Sequence, residues 1–106
     1  EVEINLDDGP PENYCKPSVD PMFRSMVEIY GSRFIPAILT GMGQDGFASC
    51  EKVADKGGPL IAQDKQTSVV WGMPGAVATS GMCTDVLPVD SIGEKIMSYL
   101  NVTAPV

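Results

Sequence analysis

The chain has 106 residues, enough for one domain with a core but small for a complete α/β enzyme. Its formal net charge of −7, from 14 acidic and 7 basic residues, disfavours nucleic acid and anionic membrane surfaces, whose phosphates require basic side chains. No apolar run approaches the ~20 residues that cross a bilayer, and there is no histidine, so the chain alone completes neither a Ser-His-Asp or Cys-His arrangement nor a histidine metal site.

In chain order, residues 2–6 (Val-Glu-Ile-Asn-Leu) alternate apolar and polar, which predicts a half-buried strand broken by Asp8-Gly9-Pro10-Pro11. The acidic start has no basic, apolar leader pattern, and with no initiator Met the chain is expected to be an excised piece. Cys15, Cys50 and Cys83 are widely spaced, which fits reduced cytoplasmic thiols serving as small apolar residues rather than a disulfide framework or a metal knuckle. Ser18 or Asp20 is expected to cap a helix with Pro21 in its first turn. Met22, Phe23, Met26, Val27, Ile29 and Tyr30 then recur at helical spacing up to Gly31, the pattern of an amphipathic helix covering a sheet.

Residues 34–39 form a short apolar strand that runs into Thr40-Gly41-Met42-Gly43-Gln44-Asp45-Gly46. A helix is predicted from Phe47 to the breaker Gly57-Gly58-Pro59, followed by a buried parallel strand over residues 60–62 that ends near Gln63-Asp64. Strand, helix and strand make one right-handed βαβ unit. Residues 65–71 are ambiguous between helix and strand. Pro74 then opens a short helix closed by Gly81, residues 85–88 form a last brief strand, and Asp90 or Ser91 caps a helix with Ile92, Ile96, Met97 and Leu100 on one face. Residues 101–106 read as a frayed tail. With no repeat or linker, residues 1–106 read as part of a single α/β domain.

Three readings of the glycine turn stay open on residues alone. Gly41, Gly43 and Gly46 match GxGxxG between a strand and a helix, with Asp64 near the expected distance, as a dinucleotide-binding turn requires. Against that, Asp45 puts a carboxylate where a pyrophosphate needs the helix N-terminus. The turn is equally a plain strand-to-helix connection with Asp45 as helix cap. In the third reading Asp45 is the acid of a catalytic triad, orienting a histidine supplied from elsewhere. Ser18, Ser68 and Ser80 lie in no GxSxG-like elbow that would supply the nucleophile here.

Five segments in order decide among them: Pro17-Ser18-Val19-Asp20-Pro21-Met22-Phe23, Ile38-Leu39-Thr40-Gly41-Met42-Gly43-Gln44-Asp45-Gly46, Ile61-Ala62-Gln63-Asp64, Ser68-Val69-Val70-Trp71-Gly72-Met73-Pro74 and Asp85-Val86-Leu87-Pro88. Together they resemble the C-terminal part of the CheB-type protein-glutamate methylesterase of bacterial chemotaxis. The resemblance implies a three-layer αβα, mostly parallel, Rossmann-like fold and hydrolysis of glutamate methyl esters on chemoreceptors by a Ser-His-Asp triad, with glutamine deamidation in some members. It implies that Asp45 is the triad acid and that Met42 offers its N–H to the oxyanion. Thr40, Gly41, Gly43, Met73 and Pro74 would form the loop and the cleft wall.

No metal or cofactor is implied. The implied partners are methyl-accepting chemoreceptors and an N-terminal receiver domain of the parent protein, the implied location is the cytoplasm, and no membrane insertion is expected. The serine and histidine loops of the family have no counterpart here, so the isolated chain is expected to be inactive and to need the rest of its domain to fold cleanly. Lys65 stands where family members often carry an acid. A Rossmann-type NAD(P) domain, or a non-catalytic regulatory or binding module on the same scaffold, are the rival expectations.

Overall fold

A computed structural model describes residues 3–6 and 8–100. Helix α1 (Val19–Tyr30) begins after Ser18 and ends where Gly31 takes a positive φ of 61°. It buries Phe23 and Val27 one turn apart, while Met22 and Ile29, expected on the inner face, stand about half exposed. Strand β1 (Ala37–Ile38) is the paired part of the apolar run over residues 34–39. Helix α2 (Phe47–Asp55), strand β2 (Ile61–Gln63), helix α3 (Gly72–Thr79), strand β3 (Asp85–Leu87) and helix α4 (Val89–Tyr99) follow.

The strands form a parallel sheet in the order β1-β2-β3, with Ala37 opposite Ile61 and Ile61 opposite Asp85. Each connection between neighbouring strands is therefore a helical crossover, as parallel pairing demands. Strand β2 has partners on both sides and every one of its residues is buried. Alternation along the segment sends Leu60 and Ala62 to one face and Ile61 to the other. The first face holds the main core: Phe23 and Val27 of α1, Ile38, Cys50 and Val53 of α2, and Val77 of α3. Ile61 and Ile92 of α4 are buried outside that cluster, which puts α4 on the opposite face and makes three layers. Tyr99 fastens α4 by donating its hydroxyl to Asp85, and Lys95 reaches the same carboxylate at 3.4 Å.

Several expectations need correcting. Residues 3–6 join no sheet, and Ile4 and Leu6 are almost fully exposed. An alternating pattern stabilises a strand only when a neighbour supplies the ladder, and no strand among the described residues does so. Val2 and the tail at 101–106 lie outside the described residues. Residues 65–71 are neither helix nor strand. Asp64 instead folds them back by accepting the Thr67 N–H at 3.0 Å and its hydroxyl at 2.7 Å, a side-chain mimic of a backbone turn. Helix α3 starts at Gly72 rather than Pro74, and α4 at Val89 ahead of its expected caps.

Candidate active site at the strand ends

The loop from Thr40 to Gly46 leaves the C-terminal end of β1, the side on which open α/β sheets bind ligands. Its first half is tied to the segment before α3. Thr40 Oγ1 donates to the Val70 carbonyl at 3.0 Å and accepts the Val70 N–H at 2.9 Å, and the Gly41 N–H reaches the same carbonyl at 2.9 Å. The Gly41 carbonyl then accepts the Met73 N–H at 2.8 Å. Because the Gly41–Met42 peptide is planar and trans, fixing that carbonyl aims the Met42 N–H the opposite way. Among the described residues no acceptor engages the Met42 N–H, and its side chain is 81% exposed.

This approach depends on Gly72. A Cβ added there would lie 2.9 Å from the Gly43 nitrogen and 3.0 Å from the Gly41 oxygen, both backbone atoms that cannot swing aside. The glycines thus serve contact between two chain segments as much as closeness to a ligand. Met73 packs against the core with its sulfur beside Gly41, and Pro74 is buried in the first turn of α3.

Asp45 forms the other half of the loop and does not cap the helix that follows it. Gly46, at φ 93°, occupies that position. The Asp45 carboxylate turns to the start of α1, where Oδ2 accepts the Val19 N–H at 2.7 Å and Oδ1 the Asp20 N–H at 3.3 Å. The N-cap residue Ser18 makes no such bond, and its buried hydroxyl has no partner. In return Asp20, from α1, caps α2: its Oδ1 accepts the Ser49 N–H at 2.9 Å and the Ser49 hydroxyl at 2.6 Å. The two helices have exchanged caps: α1 takes its carboxylate from the loop that leads α2, and α2 takes its own from the first turn of α1.

The Asn13 amide joins them, donating to Asp20 Oδ2 at 2.7 Å and to Asp45 Oδ1 at 3.0 Å. Burial pushes the Asp20 carboxyl up, but hydrogen bonds from Ser49, Asn13 and the Gly46 N–H outweigh it and hold the group below its ordinary value. Asp45 is 8% exposed. A carboxylate accepts about four hydrogen bonds, so Oδ2, with a single donor from the chain, keeps room for one more.

The arrangement also bears on the dinucleotide reading. The N–H groups at the start of α2 face Asp20, so a pyrophosphate there would meet a buried carboxylate in place of free donors. No group of residues able to hold a metal occurs among the described residues. The structure brings Thr40, Gly41, Met42, Gly43 and Met73 together on one side of the loop and Asp45 to the other, with Pro74 behind them in α3. Asn13, Ser49 and Gln63 are site neighbours that the sequence reading did not single out. For Ser49 no local signal exists, because its partner Asp20 lies 29 residues away, and Asn13 likewise reaches Asp45 across 32 residues.

A family model described as CheB methylesterase matches residues 1–96. A protein-glutamate methylesterase/protein-glutamine glutaminase of Azospirillum brasilense is 56% identical over 97 residues, covering 91% of this chain and 25% of that protein. A relative of the same description from a group 2 operon of Rhodospirillum centenum is also 56% identical, over 93 residues, with 88% and 24% covered. The crystal structure of the Thermotoga maritima CheB methylesterase catalytic domain superposes with a TM-score of 0.84 at 43% identity, over 88% of this chain and 49% of that one. The chain therefore spans about a quarter of the length of these curated relatives and about half of the solved domain.

Proposed function

The chain belongs to the CheB methylesterase family, and from that premise we propose that it supplies the acid and the oxyanion side of an active site that demethylates glutamate side chains on chemoreceptors. In this reading residues 1–106 are the C-terminal part of one catalytic domain, and the remainder of the parent protein brings the serine and the histidine. The observation that carries it is the pairing of a buried carboxylate, Asp45, with a backbone N–H three residues earlier, at Met42, that has no partner among the described residues.

The chemistry divides among these groups. The serine oxygen attacks the ester carbonyl while its proton passes to the histidine, and the carbonyl oxygen, now an anion, is held by the Met42 N–H. The bond between the carbonyl carbon and the methoxy oxygen breaks, and the leaving oxygen takes the proton from the histidine as methanol. Water, giving a proton back to the histidine, then cleaves the acyl-enzyme to a glutamate carboxylate. Asp45 accepts the second histidine N–H on the free site of Oδ2, fixing the ring and stabilising its cationic form. The relatives' names also include a glutaminase activity. The same attack on a glutamine side chain would release ammonia instead of methanol.

Met73 and Pro74 support the cleft wall in this reading, and Thr40, Gly41 and Gly43 shape the loop. No helix of the described residues is long and apolar enough to cross a membrane, and Cys15, Cys50 and Cys83 are all free thiols. The free thiols fit a reducing, cytoplasmic setting, where in this reading the protein meets the receptors and where a receiver domain of the parent chain would regulate it. In the full-length protein Asp45→Asn is expected to lower methyl-ester hydrolysis by up to about 10⁴-fold while receptor binding persists. Near-normal turnover on methylated receptor would remove Asp45 from the mechanism.

A further inference from the structure

Gln63 closes β2 at the centre of the sheet and is 3% exposed, yet none of the steps above uses it. Its carboxamide is engaged at both ends. Oε1 accepts the Thr40 N–H at 2.8 Å, and Nε2 donates to the Thr67 carbonyl at 2.8 Å and the Thr67 hydroxyl at 3.2 Å. The Gln63 backbone carbonyl accepts the Trp71 indole N–H at 2.9 Å. One residue therefore holds the chain after β1, the turn after β2 and the segment that enters α3.

The polarity of these bonds leaves little choice of side chain. The Thr40 backbone offers a donor and needs an oxygen, whereas the Thr67 carbonyl needs a donor. A carboxamide presents both from one planar group. Glutamate would still offer Thr40 an oxygen but turn a lone pair toward the Thr67 carbonyl. An apolar side chain would leave the Thr40 N–H without this acceptor.

We propose that Gln63 is a positioning residue for the oxyanion donor. By holding the Thr40 N–H it sets the height at which the loop leaves the sheet, and the bonds of Gly41 to Val70 and Met73 carry that setting to the Met42 N–H. This role rests on the assignment of Met42 as the donor. Loss of the Gln63 bonds moves the Met42 N–H away from the developing oxyanion without altering the surface that receives the receptor, so the penalty falls on kcat rather than KM.

The test uses the full-length protein with Gln63→Met and Gln63→Glu, assayed on methylated receptor and against a boronic acid that mimics the glutamyl side chain and forms a tetrahedral adduct with the serine. Folded variants are expected to lose about 10- to 100-fold in kcat, the scale of a roughly 1 Å misplacement. KM is expected to stay within about twofold of the parent value, and boronate affinity to fall by the same factor as kcat. If Gln63→Met does not fold, Gln63→Glu, which keeps the volume but repels the Thr67 carbonyl and so loses the anchor that fixes the side-chain oxygen at Thr40, carries the comparison alone. A folded variant with kcat near the parent value, a loss confined to KM, or unchanged boronate affinity would overturn the role. Asp45→Asn run in parallel separates the two levels: if it turns over normally the whole site reading fails, whereas an inactive Asp45→Asn beside normal Gln63 variants removes only the role of Gln63.

Discussion

At the scale of single residues, Asp45 has a structural duty beside its proposed catalytic one, and a single substitution would strike both. As well as its proposed place beside a histidine, it accepts two N–H groups at the start of α1. An asparagine there keeps one acceptor oxygen and turns an NH₂ toward a donor, so Asp45→Asn is expected to cost about 1 kcal/mol in addition to activity, measurable as a lowered urea midpoint. The neighbouring Asp20 gives a pH signature. Its folded pKa lies below the ordinary value of 3.8, so it contributes stability that is fully present above that value and lost as pH falls through the folded one. Asp20→Asn should therefore be less stable near neutrality but flatten the loss of stability below about pH 4, and an unchanged acid limb would contradict the network. The thiols should also differ. Burial pushes Cys50 up to about 12 and Cys83 up to about 11, whereas Cys15 is exposed. Alkylation at pH 8 followed by mass spectrometry should label Cys15 in the native chain and the other two only after unfolding.

At the scale of elements, the exchanged caps join α1 to α2 more specifically than their apolar contact does. A double-mutant cycle with Asp20→Asn and Ser49→Ala should show a coupling of about 0.5–3 kcal/mol, while additive losses would mean that the two side chains act independently. The caps also mark where sequence reasoning stopped. Ser18 has the residue type and position of an N-cap, and Asp20 the place of a first-turn acid, so α1 was legible from its own residues. The central strand was legible too, because Leu60, Ile61 and Ala62 form a short apolar run between breakers. What local residues do not encode is that Asp45 serves a helix beginning 26 residues earlier, or that Gln63 holds a backbone N–H 23 residues away. Residues 65–71 resisted assignment for a related reason. Their β-branched side chains suit a strand, but the Asp64 to Thr67 bonds and the tie of Val70 to Thr40 hold them as an irregular connection. In the candidate site, the loop and Asp45 could be singled out from glycine spacing and family resemblance, whereas the bracing by Asn13, Asp20, Ser49 and Gln63 emerges only when distant segments meet.

For the molecule as a whole, β1 and β3 are sheet edges, and around them Leu39, Val86, Met42 and Val69 are about half to almost fully exposed. Open parallel edges with apolar neighbours favour association. The isolated chain is expected to self-associate with rising concentration in sedimentation and to hydrolyse no methyl ester, since it contains no histidine. Co-expression with the proposed remainder of the catalytic domain should give a monodisperse, active species. The exchanged caps add a constraint on how such a molecule loosens. Neither helix can fray at its start without stripping hydrogen bonds from the other, so the Val19 and Ser49 amides should exchange with solvent deuterium through one shared opening of equal free energy. Asp45 lies inside that unit. On the role proposed for Asp45, a full-length protein that lets go of either helix also releases that carboxylate, so its partially opened copies would fall silent together instead of carrying a misaligned site.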